Sequence, residues 1–332
     1  MANNSHLQRN CAIRRGTKSC ARESGTAREQ QCQKPKCEEG KRCGYVAIIG
    51  KPNVGKSTLL NKIIARKISI TAAKPQTTRH KISGIKTIAN MQIIYVDTPG
   101  IHAKQKYKLN HYMNKVALKT MTAVDVILFM VNGLVWEEED EHILEYLKNV
   151  KCPVILLINK VDTIDNKGKL LPYLEELNKK MNFTKIIPIS ATKGTNVDVL
   201  EKTIVGFLPE GAFLFPEKQT TDRDDKFLAA EIIREKLVRW LGQELPYATT
   251  VVIESFANTN HTLRISATIF VERAGQKIII IGKQGSVLKK IGTLARQDME
   301  QLFHRKIFLT LWVKVNDSWS DDAAALERLG YN

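Results

Sequence analysis

The chain has 332 residues, 43% of them hydrophobic and 26% charged, values typical of a globular protein of about two domains. Lys and Arg number 51 against 34 Asp and Glu, and the formal charge of +17 favours polyanionic partners, nucleic acid before anionic membrane. No run of about eighteen apolar residues occurs, so no transmembrane helix is expected.

Residues 1–44 form a separate block that is rich in Arg, Lys, Gln, Ser and Cys and lacks apolar periodicity. Such a block buries too little apolar surface to offset its ordering entropy, so we predict a disordered basic extension. Its cysteine spacing does not match the C-x2-C pairs of zinc sites. The body contains only Cys152, which fits a reducing cytoplasm without disulfides.

From residue 45 onward, strands alternate with helices. Strands are predicted over 45–49, 82–88, 91–96, 126–131, 154–158 and 185–189, and helices over 56–65, 110–120, 137–148, 169–180 and 197–207. Apolar strands separated by helices indicate a mostly parallel sheet covered on both faces. The first domain is therefore predicted to be an α/β domain over 45–208.

Residues 209–222 have no period and contain Pro209, Gly211 and Pro216, so we predict an interdomain linker there. The order then changes to αββααβ. Helices are predicted over 226–240 and 286–303, with a short helix before the second, and strands over 249–257, 263–271 and 307–315. This order indicates an α+β domain over 223–320, followed by a tail over 321–332.

The turn between the first strand and the first helix matches G-x-x-x-x-G-K-[ST]. Its glycines let backbone N–H groups surround phosphate oxygens, and the N-terminus of the helix adds positive potential. Lys56 is predicted to reach the β- and γ-phosphates, and Ser57 to bind Mg2+. The predicted nucleotide-binding loop comprises Gly50, Lys51, Pro52, Asn53, Val54, Gly55, Lys56, Ser57 and Thr58.

Three further motifs follow predicted strands. After strand 91–96, the Asp97 side chain is expected to hold Mg2+ through water, and the Gly100 N–H to meet the γ-phosphate. After strand 154–158, Asp162 can accept hydrogen bonds from guanine N1–H and its amine, donors that adenine lacks. Together the motifs predict a Mg2+-dependent GTPase that binds GTP and GDP, with contacts from Asp97, Thr98, Pro99, Gly100, Asn159, Lys160, Asp162, Ser190, Ala191 and Lys193.

The loop 74–80 lies where the first switch of a GTPase is expected. Thr78 is the predicted threonine that senses Mg2+ and the γ-phosphate, with Thr77 as the alternative. Ras-like enzymes orient the attacking water with a glutamine just after the Asp-x-x-Gly motif. Ile101 occupies that position here and cannot polarise water. Either intrinsic hydrolysis is slow, or another group supplies the charge.

Residues 50–58, 76–80 and 97–102 closely resemble the bacterial Era GTPases, and residues 234–237, 244–247, 282–285 and 288–292 resemble the C-terminal domain of that family. The resemblance covers about residue 45 to the C-terminus. It implies a Ras-like P-loop GTPase domain followed by a type II KH domain. It also implies that Asn53 helps to hold K+ beside the phosphates, so the predicted catalytic group is Asn53, Lys56, Thr78 and Gly100.

The resemblance further implies binding of the 3′ region of 16S-type small-subunit rRNA and a role in assembly and maturation of the 30S particle, in a cytoplasmic monomer. In the Gly282–Gly285 loop, two glycines let the backbone approach RNA, and nearby lysines add phosphate contacts. The predicted RNA contacts are Gly282, Lys283, Gln284, Gly285, Lys289 and Lys290.

Two alternatives stay open. One is a related GTPase that acts on another RNA, as in tRNA modification, although the KH-like half leaves no domain for docking an enzyme. The other is a membrane-surface switch, although no amphipathic anchor or lipidation motif supports it. Weak peripheral association with the inner face of the cell membrane remains compatible with the basic charge.

Overall fold

The structure, a computed structural model, describes residues 40–72, 74, 77–101, 108–242, 245–259, 261–317 and 319–331. The disorder predicted for residues 1–39 lies outside the described residues, as do Gln76 and His102 of the two switch segments.

A six-stranded sheet in the order β2-β3-β1-β4-β5-β6 forms the centre of the first domain. Its strands are β1 (Arg42–Ile49), β2 (Ile82–Ile88), β3 (Met91–Asp97), β4 (Val126–Asn132), β5 (Val154–Asn159) and β6 (Lys185–Pro188). All pairings are parallel except the edge hairpin of β2 and β3. The mostly parallel sheet predicted from the sequence is thus confirmed.

Helices cover both faces of this sheet, because successive strand residues alternate between its faces. Helices α1 (Lys56–Ile64) and α5 (Val197–Val205) pack on one face, where Leu59 and Leu200 share a buried cluster with Ile48. Helices α2 (Lys108–Met121), α3 (Glu138–Leu147) and α4 (Leu170–Lys180) pack on the other, around Ile49 and Phe129. Because the strands other than β2 run parallel, their carboxyl ends lie together at one end of the sheet.

The first strand starts earlier than predicted, at Arg42 and not at residue 45. Arg42 pairs with Met91 in the parallel ladder, and its Nη1 donates to Val205 O at 3.1 Å. The last residues of the predicted extension 1–44 are therefore strand, because long-range pairing orders a segment that has no periodicity of its own. Phe213 and Phe215 of the predicted linker also pack against β2 and β3.

The second domain has the predicted order αββααβ. It comprises α6 (Asp225–Trp240), β7 (Thr249–Thr259), β8 (Thr262–Val271), α7 (Ala274–Ile281), α8 (Ser286–Phe303) and β9 (Lys306–Val315). The sheet order is β7-β8-β9, with β7 and β8 antiparallel and β8 and β9 parallel. Residues such as Ile233, Ile269, Ile291 and Met299 form the core between the helices and one face of the sheet.

The predicted C-terminal tail 321–332 contains helix α9 (Ala323–Arg328). Leu326 and Tyr331 are buried together with Trp319, and the cluster packs on Leu109 and Met113 of α2. Six helical residues are too few to show a reliable period in the sequence. Contacts with the first domain stabilise this helix, because isolated helices of this length are marginal.

Candidate functional site

The loop between β1 and α1 makes a tight turn in which its backbone packs closely against neighbouring groups. Gly55 has φ of 108°, and a Cβ there would lie 2.2 Å from Asn159 Nδ2. Lys56 opens α1, and its Nζ donates to Gly50 O at 2.9 Å and Lys51 O at 2.8 Å. Burial lowers the pKa of Lys56 to about 8, with Asp97 opposing that shift. This ammonium group is thus held under the loop, close to where phosphates would bind.

Three predicted Mg2+ ligands come together beside the loop. Ser57 Oγ lies 2.6 Å from Asp97 Oδ2 and 2.7 Å from Thr78 Oγ1. Ser69, which no sequence motif identified, also donates to Asp97 Oδ2 at 2.9 Å. Within the described residues, Asp97 Oδ1 is buried without a hydrogen-bond partner. Clustered hydroxyl and carboxylate oxygens are suitable ligands for a small divalent cation.

The two candidate threonines of the first switch face different ways. Thr78 is buried with its hydroxyl toward Ser57 and Asp97. Thr77 lines the cleft, and its Oγ1 donates to Lys74 O at 2.6 Å within its own loop. The geometry therefore favours Thr78 over Thr77 as the residue that joins the loop to the predicted Mg2+ ligands.

The second switch segment starts at the buried end of β3. Asp97, Thr98, Pro99 and Gly100 are all buried, and Thr98 Oγ1 donates to Ile48 O at 2.9 Å. A Cβ on Gly100 would lie 2.8 Å from Pro52 N, so this glycine permits close contact with the phosphate-binding loop. Ile101 is 1% exposed and packs in the core. Its side chain does not reach the cleft.

A cleft of about 580 Å³ extends from this cluster toward the predicted guanine motif. Its volume suits a nucleotide-sized ligand. The predicted residues that line it are Asn53, Gly55, Lys56, Ser57, Thr58, Asn159, Lys160 and Asp162. Asn53 has φ of 62° and Lys160 φ of 64°, so both residues have a left-handed backbone conformation. Both line the cleft.

Asn159 connects two loops of the base end. Its Nδ2 donates to Val54 O at 2.6 Å, and its Oδ1 accepts from Ala191 N at 2.9 Å. It thus positions the loops rather than standing open toward a base. Asp162 is exposed, and a hydrogen bond from Ser190 keeps the pKa of this carboxyl below its usual value. Lys193 is exposed nearby, with its N–H donating to Ser190 Oγ at 3.1 Å.

Two contacts that support the site join residues far apart in the sequence, so no motif identified them. Lys51 is buried and its Nζ lies 2.8 Å from Asp140 Oδ2 and 2.9 Å from Glu137 Oε2. The start of α3 therefore anchors the phosphate-binding loop. Arg239 of α6 lines the cleft from the second domain and donates to Thr71 O at 2.9 Å. Neither partner is close in sequence.

The first switch also contacts the second domain. Arg79 is fully buried, and its Nη1 donates to Thr249 O of β7 at 2.7 Å. His80 stacks on Tyr331 with ring centroids 4.5 Å apart, and burial lowers the pKa of His80 to about 4. Arg234 of α6 donates to Thr77 O. Three residues of the first switch, Thr77, Arg79 and His80, thus touch elements beyond the first domain.

The glycine-rich loop of the second domain joins α7 to α8. Gly282, Gln284 and Gly285 have φ of 71°, 52° and 76°. A Cβ on Gly282 would lie 2.5 Å from Val287, whereas one on Gly285 would meet nothing within 4 Å. Gly285 therefore leaves its backbone open to a ligand. Lys283 is exposed beside it.

A groove of about 380 Å³ runs from this loop between α8 and β9. Lys289 lines it, but Lys290 lies elsewhere, with its Nζ 3.8 Å from the Trp240 ring centroid. The groove is also lined by side chains outside the predicted RNA contacts, namely Leu288, Thr293, Arg296, Leu309 and Leu311. Its basic rim and apolar floor suit unstacked bases with their phosphates.

Comparison with known proteins identifies both halves. A family described as 50S ribosome-binding GTPase matches residues 45–160, and a KH domain family matches residues 244–320. The GTPase Era of Marinobacter nauticus is 54% identical over 289 residues, which cover 87% of this chain and 95% of that protein. The chain belongs to the Era family of GTPases.

Other Era proteins agree over similar lengths. The GTPase Era of Pseudomonas aeruginosa is 54% identical over 292 residues, 88% of this chain and 96% of its own. A variant Era of Aquifex aeolicus bound to GDP and AlF4− has a TM-score of 0.85 and 44% identity, covering 87% of this chain and 99% of its own.

One solved Era structure contains RNA. It holds MgGDPNP and nucleotides 1506–1542 of 16S rRNA, has a TM-score of 0.84 and 44% identity, and covers 88% of this chain and 99% of its own. This Era-family chain is accordingly a P-loop GTPase with a KH domain. Among its described residues, no helix has the length and apolarity to span a membrane.

Proposed function

We propose that this Era-family chain is a GTP-controlled switch that binds the 3′ region of 16S-type rRNA through its KH groove and acts in 30S assembly. The observation that carries the proposal is the contact of one switch loop with both sites: Thr78 Oγ1 lies 2.7 Å from Ser57 Oγ of the nucleotide site, and Arg79 Nη1 donates to Thr249 O of the KH domain. The related Era with bound MgGDPNP and 16S rRNA supports it. A cytoplasmic monomer, with weak membrane association at most, is the proposed setting.

In the nucleotide site, we assign the phosphates to the loop 50–58, Lys56 and the Gly100 N–H, and the guanine to Asp162 with the loop of Ser190, Ala191 and Lys193. Ser57, Thr78 and Asp97 would hold Mg2+, since their oxygens cluster and one Asp97 oxygen has no partner among the described residues. Bound Mg2+ supplies charge neutralisation at the β- and γ-phosphates. Lys56 remains mostly protonated at neutral pH, because its lowered pKa is still about 8.

The assignment of Thr78 has a matched control in its neighbour. Thr78→Ala is expected to lower the rate of GTP hydrolysis about tenfold or more and to raise the Mg2+ concentration for half-maximal activity. Thr77→Ala should change either value less than about twofold, because the Thr77 hydroxyl bonds within its own loop. Phosphate release during MgCl2 titration measures both. The reverse ranking of the two variants would reject Thr78.

Hydrolysis cannot use a water-orienting glutamine directly after the Asp-x-x-Gly motif, since Ile101 occupies that position and is buried in the core. We propose that Asn53 helps to hold K+ beside the phosphates; it lines the cleft in a left-handed turn. GTP hydrolysis is expected to be about tenfold faster or more in KCl than in NaCl at equal ionic strength. Asn53→Ala should remove this difference, and equal rates of the wild type in both salts would overturn the role.

RNA binding is assigned to Gly282, Lys283, Gln284, Gly285 and Lys289, with Lys290 kept as a peripheral contact beside Trp240. Gly285→Asp is expected to weaken binding of 3′-terminal small-subunit rRNA about a hundredfold, since it strains a backbone at φ 76° and puts a carboxylate beside phosphates. Binding is measured by fluorescence anisotropy with GDPNP and with GDP.

A glycine in similar geometry provides the control. Gly40 has φ of 87° and, like Gly285, no atom within 4 Å of an added Cβ, but it precedes β1 of the first domain. Gly40→Asp should therefore leave RNA affinity within about twofold of the wild type. If Gly285→Asp binds the rRNA segment as tightly as Gly40→Asp does, the proposed KH function fails.

A further inference from the structure

The outer face of the KH sheet exposes two large aromatic side chains. Phe308 is 60% exposed and Trp312 is 50% exposed, both on β9. Alternate residues of the strand, such as Ile307 and Val313, point into the core under the helices. Since side chains alternate along a strand, Phe308 and Trp312 share the face that the helices do not cover. We call this surface, with Arg264 and Lys314, the aromatic face.

The aromatic face is also basic. The Arg264 guanidinium lies 5.9 Å from the Phe308 ring centroid, and the pairing register places Phe270 opposite Lys314. Over β7, β8 and β9, the sequence has one acidic residue, Glu254, on the strand farthest from β9. At one end of the sheet, a cleft of about 570 Å³ is lined by His261, His304, Arg305 and Lys306, among others. Rings with positive charge beside them suit a polyanion with stacking bases.

The aromatic face adjoins the groove assigned to RNA. Strand β9 lies at the edge of the sheet. Leu309 and Leu311 line the groove on its helix side, and Phe308 and Trp312 lie on the opposite side of the same strand. A single RNA strand that leaves the groove needs only to cross this edge to reach the rings. Four residues along a strand separate the rings by about 13 Å, which keeps both within reach of one short segment.

We propose that the aromatic face is a second platform for single-stranded RNA, on which bases stack against Phe308 and Trp312 while Arg264 and Lys314 contact phosphates. It extends the RNA site beyond the glycine-rich groove and rests on the proposed function for the first part of the RNA path. The contacts are sequence-tolerant, because every base has a π-face. The platform thus adds affinity for longer RNA, and the groove selects the segment.

The test compares two fluorescein-labelled RNAs from the 3′ region of small-subunit rRNA. One is a tetranucleotide, about the length that a KH groove holds, and the other is a dodecanucleotide that extends it at both ends. Phe308→Ala and Trp312→Ala are each expected to weaken dodecanucleotide binding about tenfold and to leave tetranucleotide binding unchanged. Trp312→Phe should stay within about twofold of the wild type, because it keeps a stacking ring.

Two controls separate stacking from general damage. Phe207→Ala removes an aromatic ring of the GTPase domain that is 38% exposed, and it should leave binding of both RNAs unchanged. Thermal unfolding of every variant reports on folding. Stacking on Trp312 should also quench tryptophan fluorescence when the dodecanucleotide binds, and Trp312→Phe should show less quenching than the wild type by the share that Trp312 contributes.

The outcomes are distinct. Unchanged dodecanucleotide affinity in both alanine variants overturns the platform, even while Gly285→Asp still weakens RNA binding and so upholds the groove. Failure of the wild type to bind either RNA overturns the proposed function itself. If vesicles of phosphatidylglycerol and phosphatidylethanolamine quench Trp312 and the dodecanucleotide does not, the aromatic face is a lipid contact and the RNA platform is wrong.

Discussion

Asp162→Asn is expected to weaken GTP binding about a hundredfold or more and to create measurable affinity for xanthosine triphosphate. The Asp162 carboxylate is exposed at the mouth of the cleft, and the Ser190 hydroxyl helps to keep it ionised. It can accept from guanine N1–H and the exocyclic amine, and hydrogen bonds to a charged acceptor are stronger than those between neutral groups. An asparagine amide replaces one acceptor with a donor, which opposes the guanine amine but suits the carbonyl that xanthine carries there.

Equilibrium titration with fluorescent GTP and XTP analogues measures both effects. Asp165→Asn is the matched control, because Asp165 is an exposed aspartate of the same loop that lies outside the residues lining the cleft. It should leave both affinities within about twofold of the wild type. Guanine selection by Asp162 would be contradicted if Asp162→Asn still preferred GTP to XTP by the wild-type ratio.

The nucleotide motifs could be predicted because each is a short segment that directly follows an apolar strand. A parallel sheet brings the ends of its strands to one edge, so a motif that follows an apolar strand lies at the same edge as the others. Ser57, Thr78 and Asp97 lie far apart in the sequence, yet their oxygens meet within hydrogen-bond distance. The glycines Gly55 and Gly285 mark backbone geometry that other residues adopt only with strain.

The contacts that were missed depend on distant partners. The acidic run at 137–141 lies at the start of α3, where negative charge suits the helix dipole, and Glu137 and Asp140 also bind Lys51 from 86 and 89 residues away. Arg239 reaches the cleft only because α6 packs beside it. Charge patterns and apolar periods relate residues that are close in the sequence. They therefore do not identify which distant residue a charged side chain will contact.

The first switch illustrates how the two domains are joined. Thr78 and Arg79 are adjacent, and their side chains serve opposite partners: Thr78 faces Ser57, and Arg79 bonds Thr249 O of the KH domain. Tyr331 completes this contact by stacking on His80 and placing its hydroxyl 3.4 Å from Arg79 Nη1. Any movement of Thr78 with the nucleotide state therefore shifts a residue that holds the second domain. Allosteric coupling requires such an element, biased by both sites.

Arg79→Ala is therefore expected to have two effects. It removes a fully buried charged donor, leaving Thr249 O without that bond, so unfolding should become easier by about 3 kcal/mol. It should also bring the ratio of rRNA affinities with GDPNP and with GDP to within about twofold of one, because the switch no longer contacts β7. Denaturant unfolding measures the first effect, and anisotropy titration in both nucleotides measures the second.

Tyr331→Phe and Arg66→Ala separate coupling from stability. Tyr331→Phe keeps the ring on His80 and loses only the hydroxyl near Arg79 and Thr250, so it should cost about 1 kcal/mol and retain most of the nucleotide effect on rRNA binding. Arg66→Ala removes an exposed contact with Thr220 of the linker and should alter neither quantity appreciably. If Arg79→Ala is destabilised but keeps the wild-type affinity ratio, Arg79 only joins the domains, and nucleotide state must reach the KH groove by another contact, such as that of Arg239 with Thr71.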